Sequence, residues 1–309
     1  MIKPKALRKG DTIGIVSPAS PIEEKHKESF ENGIQALNNM GYLTKVGRNA
    51  LKSDGYLSAT DEERASDLME MFKDKSINAI LCSRGGYGTE RLLNMLDFQV
   101  IAQNPKIFAG YSNISFLLNI FTQYSGFITF HSPMVINIGN CQEDFNVNNM
   151  ISSISIIQRN YILGMKAEGI SKSKSAAIAT GRLYGGNLST IIGTIGTKYE
   201  LDTENCILFI EEVGEHVYAI DRMLTLLKNA GKLNSCSGFI LGDFTDCENS
   251  SGKSIINVIN EVILSLGKPI IHSFPCGHGP VKSTLPIGAK VQINANTGIV
   301  KVLESVIKK

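Results

Sequence analysis

The order of its apolar runs constrains this chain more than any other feature. From Thr12 to Pro133, short apolar runs alternate with stretches of helical spacing. "TIGIVSPA" stops at a Ser-Pro turn, and Phe30, Ile34 and Leu37 then recur as on one helix face, with Gly41 as the stop. "LTKVG" reads as a second strand. Thr60 and Glu63 have capping-box spacing ahead of a helix through Ala65, Leu68, Met69 and Phe72. "INAILCS" is a third strand, followed by the glycine-rich turn "RGGYG" and a helix through Leu92, Leu93 and Met95. "KIFAGY" is a fourth strand, with a helix through Ile114, Leu117, Leu118 and Phe121 after it, and "FITFHSP" is a fifth. Strands that recur with helices between them imply an α/β fold, a mainly parallel sheet covered on both faces.

A chain of 309 residues is long for one core, and the pattern changes midway. The stretch 138–180 is rich in Asn, Ser and Lys, so the expected division is an N-terminal domain over 1–140, a helical linker over 141–178 and a C-terminal domain over 179–309. "CILFIEE" and "SGFILGDF" read as strands around a helix using Ile220, Met223, Leu224 and Leu227. A further helix through Ile256, Ile259, Ile263 and Leu266 stops at Gly267, and "KVQINANTGIVKVL" reads as a hairpin.

The 31 basic side chains are scattered and the formal net charge is +2, which argues against a nucleic-acid partner. No apolar run spans a bilayer, and the N-terminus lacks the apolar stretch of a secretion signal, so a cytoplasmic location is expected with no membrane partner. The six cysteines show no CxxC pair, and reduced, packed thiols are expected rather than a disulfide framework or metal site.

Four stretches carry possible chemistry. In "FAGYSNISFLL", Ser112 stands where a buried parallel strand meets a helix, the edge at which α/β proteins place their sites. Taken alone it reads first as a helix N-cap; the other reading is a nucleophile on a tight turn, with half of the Gly-x-Ser-x-Gly pattern present. "SRGGYGTERLL" ends the preceding strand, and its glycines either form a plain turn or bring an amide, with that of Asn113, to an oxyanion. In "LFIEEVGEHVYAIDRML", Glu211 and Glu212 follow a buried strand on opposite faces. They are solvated charges, or one of them enters a site. His278, between glycines in "FPCGHGPVKSTLPIGA", has little core to fill. Of the other histidines, His26 and His216 read as exposed and His131 as a secondary site residue. A hydroxyl, a carboxylate and an imidazole are what acyl transfer requires.

Together these stretches resemble the LD-carboxypeptidase family of serine peptidases, which includes murein tetrapeptide carboxypeptidases and microcin C immunity proteins. The likeness runs over nearly the whole chain, through "KGDTIGIVSPAS", "GYLSATDEERASDLMEMF", "SRGGYGTERLL", "FAGYSNIS", "TFHSPM", "GRLYGGNLS", "LFIEEVGEHVYAIDRML" and "FPCGHGPVKSTLPIGA", in the family's order. It implies a flavodoxin-like N-terminal domain and a smaller mixed-sheet C-terminal α/β domain. It also implies a Ser112–Glu211–His278 triad, oxyanion amides from Gly86 and Asn113, no metal or organic cofactor, and a homodimer. The implied reaction is hydrolysis of the L,D-peptide bond of a murein tetrapeptide, releasing D-alanine during recycling. Asn113 stands where the family usually has Asp, and Ser132 and Cys276 also depart from its pattern. For the substrate carboxylate the candidate cation is Arg84, which would otherwise pair with a structural acid such as Glu90. Asn187 contacts substrate backbone or braces the domain interface. The alternatives are a hydrolase of peptidyl-nucleotide antibiotics, against which the absence of Trp counts, and a two-domain small-molecule binder without turnover.

Overall fold

The computed structural model describes residues 1–140, 144–170, 177–247 and 252–309. Cys141 and the run "SKSKS" of the expected linker lie outside these residues. Among the described residues fourteen strands form two sheets. They are β1 Thr12–Val16, β2 Leu43–Val46, β3 Ile77–Cys82, β4 Ile107–Gly110, β5 Thr129–His131, β6 Tyr161–Ile162 and β7 Glu168–Ile170, followed by β8 Ile178–Asn187, β9 Ile207–Val213, β10 Gly238–Thr245, β11 Ile270–His272, β12 Leu285–Ile287, β13 Lys290–Asn294 and β14 Ile299–Val302. Contacts divide the chain into two units: Met1–Ile157 with Thr284–Gly288 and Ser305–Lys309, and Gln158–Ser283 with Ala289–Glu304.

In the first unit the strands run in the order β12-β5-β4-β3-β1-β2, all parallel except β12. The parallel order 2-1-3-4-5 is the flavodoxin-like one, whose topological switch point lies between β1 and β3. The Thr60–Glu63 capping box is present: each residue's side chain accepts from the other's amide, at 3.3 and 3.4 Å, at the start of the helix Asp61–Lys73. Phe72, Phe108, Phe121 and Phe127 cluster in the core, where Phe121 meets Phe72 and Phe108 edge-on, the latter with centroids 4.9 Å apart.

Two expected helices take other forms. The stretch through Leu92 is a 3-10 helix, Thr89–Met95, and the Arg91 amide bonds the Gly88 carbonyl three residues back. The spacing of Leu92 and Met95 suits either helix type. The helix after Ser112 opens with a 3-10 turn and becomes α over Ser115–Ile120. It widens to a π turn over Phe121–Ser125 before Gly126 at φ 75°.

The second unit holds a mixed sheet in the order β6-β14-β13-β8-β9-β10-β11-β7, with β8 to β11 parallel and the outer strands antiparallel. This is the mixed sheet expected of the second domain, and it has eight strands against six in the first. β13 and β14 form the anticipated hairpin, closed by Gly298 at φ 68°. On the helix Ile255–Val262 the buried residues are Val258 and Val262, whereas Ile256 is 68% exposed.

The expected division also shifts. The stretch 141–178 holds a helix, Asp144–Ser155, which belongs to the first unit, and β6 and β7, which belong to the second. Residues 179–309 are likewise shared. Leu285–Ile287 pair with Thr129–His131, and the Ala6 amide bonds the Lys308 carbonyl, so both short segments return to the first unit. Among the described residues no helix is long and apolar enough to cross a membrane.

Candidate active site

In the first unit Ser112 lies just beyond the C-terminal end of β4, with φ at 63°. A side chain resists that left-handed conformation, so the surrounding turn must hold it there. Gly85 makes the close approach feasible: a Cβ on it would lie 2.7 Å from Ser112 Cβ and 3.0 Å from Oγ. The glycine-rich turn and the serine are therefore neighbours, as the adjacency of β3 and β4 requires.

Gly86 has φ at 120°, and a Cβ there would meet Ser20 Oγ at 2.1 Å. Ser20 Oγ accepts the Tyr87 amide at 3.2 Å, and the Ser20 amide donates to the Gly85 carbonyl at 3.3 Å, so the turn is tied to the loop after β1. Below it the buried Arg64 guanidinium donates to the carbonyls of Ala59, Pro18 and Gly88 and pairs with Asp61 at 2.5 Å. Asn113 is the second residue of a helical turn, where amides lack intrahelical acceptors. Its side chain accepts the Thr89 amide at 3.0 Å and donates to Glu90 at 2.6 Å, a bridge that an Asp could not make.

Arg84 donates to the Pro21 carbonyl, Glu23 and His26, each at 3.0 Å. Its structural acid is thus Glu23 and not Glu90. His26 is only partly exposed, and burial lowers its pKa. His131 is buried against Tyr111, with ring centroids 5.8 Å apart.

In the second unit both glutamates, near the end of β9, are buried, at 0% and 2% exposure, so neither is the solvated charge that sequence allowed. They diverge as strand alternation requires. Glu211 accepts from His278 Nδ1 at 2.7 Å. Burial pushes its pKa up, and the hydrogen bond and charge of His278 oppose that rise. Glu212 accepts from Asn187 Nδ2 at 2.8 Å and from the amide and hydroxyl of Ser189 at 2.8 and 2.7 Å. Asn187, opposite Glu211 in the β8–β9 register, also caps the helix Leu188–Ile192 through the Thr190 amide at 3.2 Å.

Sequence reasoning missed Asp243. Its carboxylate accepts the Gly279 amide at 3.1 Å, its own amide donates to the Cys276 carbonyl at 3.0 Å, and burial raises its pKa. Lys282 Nζ donates to the Gly279 carbonyl, so both the amide and the carbonyl of the residue after His278 are held. An acid closing the apolar run "SGFILGDF" was the available signal. His278 keeps 16% side-chain exposure, on a loop gripped at both ends and oriented by a buried carboxylate. When Nδ1 is hydrogen-bonded to a carboxylate, Nε2 is left to take a proton.

Residues 13–132 match the LD-carboxypeptidase N-terminal domain and residues 180–293 the LD-carboxypeptidase C-terminal domain. The chain belongs to the LD-carboxypeptidase family. It is 38% identical to a probable murein peptide carboxypeptidase of Bacillus subtilis (strain 168), over 94% of this chain and 91% of that protein. It is 30% identical to the microcin C7 self-immunity protein MccF of Escherichia coli, over 96% and 94%. The muramoyltetrapeptide carboxypeptidase from Oxalobacter formigenes has a solved structure that matches with a TM-score of 0.82 at 26% identity, covering 94% of this chain and 97% of that one. Membership in the LD-carboxypeptidase family makes the chain a peptidase-type hydrolase.

Proposed function

We propose that this LD-carboxypeptidase family member is a serine carboxypeptidase that hydrolyses the L,D-peptide bond of murein tetrapeptide and releases D-alanine. The observation that carries the reading is the buried Glu211 carboxylate 2.7 Å from His278 Nδ1, in a chain whose left-handed serine follows a parallel strand. Ser112 Oγ attacks the carbonyl carbon while His278 Nε2 takes its proton, and Glu211 fixes the tautomer and stabilises the imidazolium. The amides of Gly86 and Asn113 hold the oxyanion. The imidazolium then protonates the leaving amine of D-alanine, and water activated by His278 cleaves the acyl-enzyme. The murein peptide names of relatives support this substrate, and a solved active-site variant of MccF includes a serine replacement. The same reading carries a cytoplasmic homodimer that uses no metal or organic cofactor.

The test is D-alanine release from a murein tetrapeptide by wild type, Ser112→Ala and His278→Ala. Loss in both variants supports the triad, and equal release by all three refutes it. A second reading, cleavage of peptidyl-nucleotide compounds, draws on MccF, which has been solved with aspartyl sulfamoyl adenosine. This chain has no tryptophan on which to stack adenine. Turnover of that compound without tetrapeptide turnover would select the second reading. Ligand binding unchanged in Ser112→Ala, with no product from either compound, would select a non-catalytic binding protein.

A further inference from the structure

The edge of the first sheet remote from Ser112 is formed by the N-terminal ends of β1, β3 and β4. There Lys5, Lys75, Lys106 and Lys308 line a cavity of about 340 Å3 with Asn78 and Asn104. A second cavity of about 230 Å3 shares Lys5 and Asn78 and adds Arg8. The chain as a whole is only +2, so this concentration of cations is local. None of these five cations lies within ion-pair distance of a carboxylate among the described residues. Asp11, the acid in the second cavity, accepts the Arg8 amide at 2.7 Å.

Lys106 is the built part of the site. It is 7% exposed, and two of its three N–H groups go to the carbonyls of Met71 and Asp74, which leaves one donor. Burial pulls its pKa down to about 8, an electrostatic debt that a nearby anion would relieve. Asn78 accepts the Thr12 amide at 3.0 Å through Oδ1, so its NH2 group is the remaining donor. Ile77 and Pro105 lie among these polar and charged side chains. Four ammonium groups on one lining disfavour a cationic ligand and favour an anion. Several ammonium point charges suit a tetrahedral phosphate, whereas planar carboxylates favour the arginine fork.

We propose that this cavity binds a phosphate- or diphosphate-bearing small molecule at a site separate from Ser112. The test is calorimetric titration of the full chain with inorganic pyrophosphate, at roughly 150 mM salt so that diffuse charge is screened. Lys75 and Lys308 are exposed, so Lys75→Ala/Lys308→Ala is expected to fold, and its thermal unfolding is recorded beside wild type. The expected result is saturable binding that weakens roughly tenfold in this variant, the loss suited to two partly exposed charge contacts. Lys25→Ala/Lys27→Ala, which removes equal charge elsewhere, should bind as wild type does. A nucleoside diphosphate tighter than pyrophosphate assigns a nucleotide, and equal affinity assigns the phosphates alone. The proposal is overturned by absent saturation, by equal weakening in the two lysine variants, or by citrate binding as tightly as pyrophosphate.

Discussion

Glu211→Gln replaces the buried carboxylate by a group of nearly the same shape, so the perturbation is one of charge and proton position. The 2.7 Å bond to His278 Nδ1 is charge-assisted and fully removed from water. Losing its ionic character costs about 1.5–3 kcal/mol. The amide adds a second penalty: its NH2 group can donate to Nδ1, which moves the imidazole proton to Nε2, where it blocks acceptance from Ser112. Together these effects amount to about 3–5 kcal/mol of transition-state stabilisation, or roughly 10²- to 10⁴-fold in turnover. The assay is D-alanine release under substrate saturation, run on Glu211→Gln, His278→Ala and the double variant. Because the carboxylate acts through the imidazole, the double variant should be hardly worse than His278→Ala alone. Turnover near wild type in Glu211→Gln, or losses that multiply in the double variant, would refute the reasoning.

Ser112→Gly should be more stable than Ser112→Ala by about 1 kcal/mol in thermal unfolding, since only glycine relaxes at φ 63°, while both lose D-alanine release. Asn113→Asp places a carboxylate where Glu90 now accepts a bond at 2.6 Å. It should cost about 1–3 kcal/mol at pH 7 in denaturant unfolding. Asp243→Ala should lower turnover about tenfold or more by releasing the Gly279 amide, with Asp243→Asn, which keeps an acceptor, closer to wild type. Burial raises the Glu211 pKa above its unfolded value, so the folded state holds the proton more tightly. Wild-type stability should therefore fall relative to Glu211→Gln as pH rises from the ordinary carboxylate range toward neutrality, as read by melting temperature.

The first sheet was legible because a strand buried on both faces leaves a continuous apolar run, as "INAILC" and "IFAG" do, and the helices between them repeat at their own period. β12 was not legible. Three residues around Pro286 show no alternation, and a proline strand is tolerated there because it lies at the sheet edge. Family resemblance, not periodicity, supplied the flavodoxin-like order. At the site, the residue types of Ser112, Glu211 and His278 were visible, but the left-handed backbone of Ser112 was not, because serine carries no propensity that marks it. The burial of both glutamates escaped notice because strand alternation fixes direction and says nothing of what covers each face. Asp243 passed unremarked inside the strand "SGFILGDF", since a carboxylate that accepts from a loop amide 36 residues on leaves no local spacing.

The return of Leu285–Ile287 to the edge beside Thr129–His131 bears on biogenesis. A ribosome has to deliver the whole intervening stretch from Thr129 to Ile287 before that edge acquires its cover. Until then the nascent first sheet displays unpaired backbone groups to which a neighbouring chain can anneal. A gene fragment ending at the first crossover would keep that exposure permanently, so the two halves cannot be exchanged between proteins as separate cassettes.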